Sequence, residues 1–256
     1  MTFPAGTFTP SPGTGRLGRM LLTHARTEAM LTLRNGEQVL LTLLIPLALL
    51  VGLTLVPIVS LPDPRVDEVT PRIFALAIMS SAFTGQAIAL GFDRRYGVLR
   101  RLAATALPRW LLVAGRVVGG LAVVVIQIVL LAVVAAIMGW SPDAVGLLWT
   151  VVLILLGALA FGALGVLLGG ALKAEVVLAV ANIVWFILLL AGGIMVPASS
   201  MPGVLGDLVA LLPSGALAEG LHGALVSGAP GWQPFLVLVL WGAAASALAT
   251  RTTKLT

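Results

Sequence analysis

The chain contains no cysteine. That excludes disulfides, a thiolate nucleophile and any Cys-ligated metal site, and leaves the redox compartment unmarked. Charge is scarce too: Asp, Glu, Lys and Arg make up 10% of the residues, where an average soluble domain carries roughly 25%. There is no Walker A loop and hence no nucleotide site of the chain's own, and neither His-Glu-x-x-His nor Gly-x-Ser-x-Gly occurs. The two histidines, His24 and His222, lie too far apart to share a metal. No catalytic residue, metal or cofactor is therefore expected on this chain. The opening stretch, MTFPAGTFTPSPGTGRLGRM, lacks the apolar core of a signal peptide and reads as a disordered cytosolic tail.

What the chain has is apolar length. Hydrophobic residues make up 59% and the mean hydropathy is +1.11. A helix rises 1.5 Å per residue, so roughly 20 apolar residues cross a hydrocarbon core of about 30 Å. Six windows reach or approach that length: Val39–Val59, Ile73–Phe92, Val117–Met138, Val145–Leu168, Val176–Val196 and Phe235–Ala249. None carries Lys, Arg, Asp or Glu in its core. The expected fold is an all-α polytopic membrane protein with six transmembrane helices.

The placement of basic residues sets the expected orientation. Arg16, Arg19, Arg26 and Arg34 precede the first window, six arginines fall within 93–116, Lys173 separates the fourth and fifth windows, and Arg251 and Lys254 follow the last. These alternate segments hold 13 of the 15 Lys and Arg residues, against only Arg65 and Arg72 on the other side. The positive-inside rule then predicts cytosolic N- and C-termini. The net charge of +5, set beside membrane spans, reports orientation and contact with anionic lipid rather than nucleic acid. The chain divides into a cytosolic tail with an amphipathic helix (1–37), a six-span domain (38–250) and a cytosolic tail (251–256).

Within the first unit, Arg16–Arg34 has helical periodicity, with Leu17, Met20, Leu21 and Leu31 on one side and the arginines opposite. This suits an interfacial helix lying flat on the cytosolic leaflet. His24 and Glu28 fall inside its apolar side, four residues apart, and could pair with each other. Between the last two windows, 197–231 is too apolar for a loop and too broken by Pro and Gly to span. Two short re-entrant outer helices are predicted there, Val204–Leu212 and Ala216–Leu225.

A charged residue at mid-bilayer costs at least about 2.5–3.5 kcal/mol, so ion-coupled carriers keep one only for function. The windows hold none, and energy would have to come from elsewhere. Their polar residues include Ser80, Ser81, Thr84, Gln127 and Asn182, which could line a substrate path or join helices by hydrogen bonds. Gly115/Gly119 and Gly165/Gly169 have the spacing of close helix approach. The densest charge lies at 93–110, DRRYGVLRRLAATALPRW. Leu99, Leu102, Ala103 and Ala106 recur at helical spacing after Tyr96, while Arg94 and Arg101 point away. A topology marker needs the arginines but not the apolar stripe, so a short amphipathic cytosolic helix is predicted, ended by Pro108.

These residues resemble the membrane subunits of type-2 ABC exporters. Members of that family follow the second span with an arginine, an aromatic or acidic residue and Gly-Thr-Leu, then a charged residue and Leu, with Thr-Pro-Leu and Arg-Trp later. Here the matching positions are Arg95, Gly97, Val98, Leu99, Arg101, Leu102, Thr105, Leu107, Arg109 and Trp110. Ala106 stands where the family often has proline, and Arg100 where an acidic residue is frequent. The resemblance implies that 93–109 is a coupling helix meeting a cytosolic ABC ATPase through Arg95, Tyr96, Gly97, Leu99, Arg101, Leu102 and Thr105. ATP and Mg would be bound by that ATPase. It further implies a second permease subunit (the same chain or a paralogue), a bacterial cell membrane location, and outward movement of a drug, antibiotic, lipid or glycan-lipid. An ion-coupled carrier or channel and a non-transporting assembly factor remain the other readings.

Overall fold

The computed structural model of the protein describes residues 15–57, 61–104 and 108–252. The predicted tail up to residue 14 and Thr105 lie outside them. Among the described residues 83% are helical and no strand occurs.

Helix α1 (Leu17–Arg34) is followed by α2 (Gly36–Leu55), which carries Pro46 inside it. α2 stops short of the predicted Val59, because Val56 precedes Pro57 and the residue before a proline is pushed away from helical dihedrals. Next, α3 (Arg65–Ile78), a π-helical segment (Met79–Gly85) and α4 (Gln86–Arg95) run end to end. Together they form one apolar rod of 31 residues, about 46 Å long at 1.5 Å per residue. A short α5 (Val98–Ala103) follows the αL residue Gly97, whose φ of 67° suits glycine at a helix end. Then come α6 (Arg109–Ile137) and α7 (Ala144–Ala171), whose first turn is capped by the Asp143 carboxylate accepting from Gly146 N at 2.8 Å.

The fifth predicted window is shorter than expected. α8 (Ala174–Ala191) ends at Gly192 and Gly193, the latter at φ 85°, so 192–196 is not helical. The broken segment is two helices, α9 (Val204–Ala210) and α10 (Pro213–Ser227), bent by 84°. These sit close to the two predicted ones. The final helix, α11 (Gln233–Thr252), runs longer than its apolar window, since Pro234 in the first turn forfeits no hydrogen bond.

Five of these helices are long and apolar enough to cross a membrane, and the bent α9–α10 pair would make a sixth. α2 contributes a shorter apolar stretch, Thr42–Leu55. Chain packing centres on α3, α7 and α10, with Phe74, Leu76, Leu153, Phe161 and Leu217 fully buried. Elsewhere large apolar side chains are exposed along α6, α7, α8 and α11, as lipid-facing helices require.

Close approach between helices depends on the two predicted glycine pairs. A Cβ at Gly165 would lie 2.8 Å from Phe83 O, and one at Gly169 2.5 Å from Ala87 O. These positions let α7 press against the π segment and α4. On α6, a Cβ at Gly119 would stand 2.8 Å from Ala25 O, and one at Gly115 would overlap the His24 ring. That groove seats α1.

Candidate functional site: the basic end of the rod and the polar interior

At the end of the rod nearest α5, charged side chains join five helices. Arg94 Nη1 donates to Gly169 O at 2.9 Å and Leu172 O at 3.2 Å, placing a cation on the carbonyl end of α7. Arg95 pairs with Glu175 at the start of α8. Arg116 on α6 pairs with Asp93 at the end of α4 and with Glu28 on α1 at 3.6 Å. The end of α4, just before α5, is thus tied directly to α6, α7 and α8 and through Arg116 to α1.

The side chains left at the surface differ from the predicted stripe. Leu99 and Leu102 are half-buried, whereas Tyr96, Arg100 and Arg101 are exposed. Tyr96 stacks on Phe92 with ring centroids 6.0 Å apart, and the Arg95 guanidinium stands 5.9 Å from its ring. Arg101 Nη2 donates back to Tyr96 O at 3.3 Å. Gly97 sits at the turn between them.

α1 packs through the middle of the side read as apolar in the sequence, and only the leucines near its two ends stay outside the contact. Leu17 and Leu31 are exposed, while Met20, Leu21, His24 and Glu28 are half-buried and Ala25 is buried. The Gly115/Gly119 groove accepts the polar edge of α1 because His24 Nε2 finds Leu112 O at 3.1 Å and Glu28 finds Arg116. His24 and Glu28 do lie within ion-pair range, at 3.8 Å.

The polar residues of the spans divide into groups. Ser81 Oγ donates to Gln127 Oε1, and Gln127 Nε2 donates to Thr42 Oγ1 at 2.9 Å, joining the π segment to α6 and α2. This chain borders a cavity of about 40 Å³ lined by Glu28, Thr32, Ser81, Gln86 and Arg116 among others, enough room for about one water. Ser80 faces the opposite way. It donates to Leu76 O at 2.8 Å and accepts from Trp185 Nε1 on α8 at 2.8 Å. Thr84 Oγ1 is buried without a partner among the described residues. Asn182 stands apart, exposed on α8 and bonded to Leu178 O. A π-helical turn often marks a functional site, and here it carries Ser80, Ser81 and Thr84.

A comparison with known proteins decides the class. Residues 19–226 match the ABC-2 type transporter family. The chain belongs to that family. It is thus the membrane-embedded permease of an ABC transporter, of a kind normally paired with an ATPase subunit. A relative from Bacillus subtilis (strain 168) named as a transport permease, YvfS, is 27% identical over 232 residues. The alignment covers 87% of this chain and 92% of that relative. The ABC-2 match takes in α1, the basic end and most of the broken segment.

One group at the far end of the permease escaped the sequence reading. The window taken as charge-free began at Ile73, but α3 begins at Arg65, so Glu68 and Arg72 belong to the helical rod. Arg72 is 7% exposed. Its Nη1 lies 3.4 Å from Gly193 O and 3.8 Å from Glu219 Oε1, and Glu68 Oε2 lies 2.7 Å from His222 Nε2. The sequence signal was available: Glu68/Arg72 and Glu219/His222 have i,i+4 and i,i+3 spacing, which puts each pair on one helix face.

Proposed function

We propose that this permease is the transmembrane half of an ATP-driven exporter in the bacterial cell membrane, with both termini cytosolic. Two such subunits, identical or paralogous, pair and take up two ATPase subunits. Each ATPase docks on the α4–α5 turn, and closure of the ATPases around ATP and Mg rocks the rod α3–α4. Hydrophobic or amphipathic cargo (a drug, antibiotic, lipid or glycan-lipid) moves outward along the polar side chains of the π segment. The chain itself performs no catalysis.

The observation that carries this reading is the bracing of the coupling end. Arg94, Arg95, Asp93 and Arg116 tie the base of α5 to four neighbouring helices, while Tyr96, Arg100 and Arg101 remain exposed. A contact made there would be transmitted, not absorbed. Sidedness follows the positive-inside rule, which puts α1, α5 and both chain ends on the cytosolic face.

The test is co-purification. The chain extracted from membranes brings an ATPase with it, and Arg100→Glu with Arg101→Glu lowers that recovery at least tenfold. Failure of any ATPase to accompany the intact chain refutes the proposal. The Arg72 and Glu68 cluster gives an ion-coupled carrier its one supporting observation. Transport by the chain alone in liposomes without ATP would establish that alternative.

A further inference from the structure

The first two turns of α3 carry Arg65, Asp67, Glu68 and Arg72, a dense run in so uncharged a chain. Together they reach three other parts of the chain. Arg65 Nη2 donates to Leu53 O at 2.8 Å and Val56 O at 3.2 Å at the end of α2. Asp67 accepts from Ser141 N at 3.1 Å in the α6–α7 connection. Glu68 and Arg72 both reach α10, through His222 and Glu219. α10 is thus held to the rod by a hydrogen bond and an ion pair, one helical turn apart on each side.

Three features separate this contact from a static rivet. First, the inner pair is loose. At 3.8 Å it lies beyond hydrogen-bond range, and neither Arg72 Nε nor Glu219 Oε1 has a hydrogen-bond partner among the described residues. Second, α10 is bounded by breaks that can absorb rotation. The 84° bend precedes Pro213, and Gly228 and Gly231, at φ 71° and 69°, follow Ser227. Third, the other directional bonds of α10 lie near its two ends, where Ser214 Oγ donates to Gly192 O at 2.7 Å and Leu225 O accepts from Asp143 N at 3.1 Å, and its middle meets its neighbours through the short or aliphatic side chains of Ala216, Leu217, Ala218, Leu221 and Ala224. The other end of the same rod carries Asp93, Arg94 and Arg95 beside α5. Movement applied at the coupling end is delivered along one continuous helix to Glu68 and Arg72.

We propose that Glu68–His222 and Arg72–Glu219 form the lock of an outer gate, that α10 is the gate, and that both pairs part once in each transport cycle. This rests on the exporter reading above. Glu68, Arg72, Glu219 and His222 act as positioning residues: they hold the release side closed until the rod turns.

The native chain has no cysteine, so introduced thiols can be followed without interference. Glu68→Cys with His222→Cys, in the permease–ATPase complex in proteoliposomes, is treated with a short bifunctional methanethiosulfonate. Cross-linking is expected to be at least tenfold slower in the vanadate-trapped complex than without nucleotide. Rates within twofold of each other in nucleotide-free, ATP-bound and trapped states of a complex that hydrolyses ATP overturn the lock and leave the exporter reading standing. A chain that brings down no ATPase overturns the exporter reading, and the lock with it. Should the double variant fail to assemble, hydrogen exchange on the unaltered complex decides. Amides of 213–227 exchange at least tenfold faster in the trapped state, and equal protection in both states refutes the lock.

Discussion

Arg116 offers the sharpest test of how the basic end of the rod is held together. Its guanidinium, 14% exposed, stands between Glu28 on α1 (20%) and Asp93 on α4 (29%). Arg116→Met keeps the aliphatic bulk and strands both carboxylates. Breaking a fully buried pair costs about 3–5 kcal/mol, whereas an exposed pair is worth about 0.2–1 kcal/mol. With partners this shielded, each stranded carboxylate costs roughly 1–1.5 kcal/mol after that discount, and the pair about 2–3 kcal/mol. That is roughly a 30- to 150-fold shift in the folding equilibrium. Neutralising the stranded groups removes the penalty, so Arg116→Met with Glu28→Gln and Asp93→Asn recovers most of it. Unfolding by SDS titration in mixed micelles reads both quantities. A single Arg116→Met within 0.5 kcal/mol of wild type, or a triple variant as unstable as the single one, refutes the reasoning.

Other outcomes follow from the packing. Gly119→Leu and Gly165→Leu would each place a Cβ 2.8 Å from a backbone oxygen and destabilise by about 1–3 kcal/mol. Gly162, with nothing within 4 Å, accepts alanine with a gain of about 0.5–1 kcal/mol; thermal melts in detergent compare the three. Gln127→Leu removes the acceptor of Ser81 Oγ and one donor to Thr42 Oγ1 and costs about 1–2 kcal/mol, whereas Asn182→Leu at its exposed position is neutral in the same melt. Asp143→Ala removes the α7 cap and costs about 0.5–2 kcal/mol. Arg100→Glu with Arg101→Glu leaves the melting temperature of the isolated permease unchanged while weakening ATPase recovery, which separates a contact role from a structural one.

Apolar length alone located most of the helices. Val145–Leu168 lies within α7, and the proline and glycine breaks of 197–231 foretold α9 and α10. Where composition is uniform the signal fades. The run Val176–Val196 reads as one apolar stretch, but two consecutive glycines end α8 five residues early. The π segment was not legible, because Ser80, Ser81 and Thr84 mark a polar stretch without setting whether the backbone there bonds in the α or the π register. The Gly165/Gly169 and Gly115/Gly119 spacings were legible, though not the partners they admit. Leu99 and Leu102 showed helical periodicity, yet which face turns inward depends on Arg94, Arg95 and Asp93 finding helices far along the chain. Glu68 and His222 are 154 residues apart, and nothing in a single sequence pairs them.

The π segment has a consequence for the chain's tolerance of insertions and deletions. In an α-helix each residue turns the axis by about 100°, while the i→i+5 bonding of a π turn accommodates residues beyond the α count. Met79–Gly85 therefore acts as a phase adjuster between the two halves of the rod. Losing a single residue from it would regularise the helix and swing everything beyond it around the axis. Arg94 would leave the carbonyls of α7, Arg95 would leave Glu175, and the α5 turn would face a new direction while Glu68 and Arg72 stayed where they were. The rotational alignment of the two ends of this permease is thus set by one irregular stretch of seven residues, and a one-residue deletion there would be felt more widely than a substitution at any position within it.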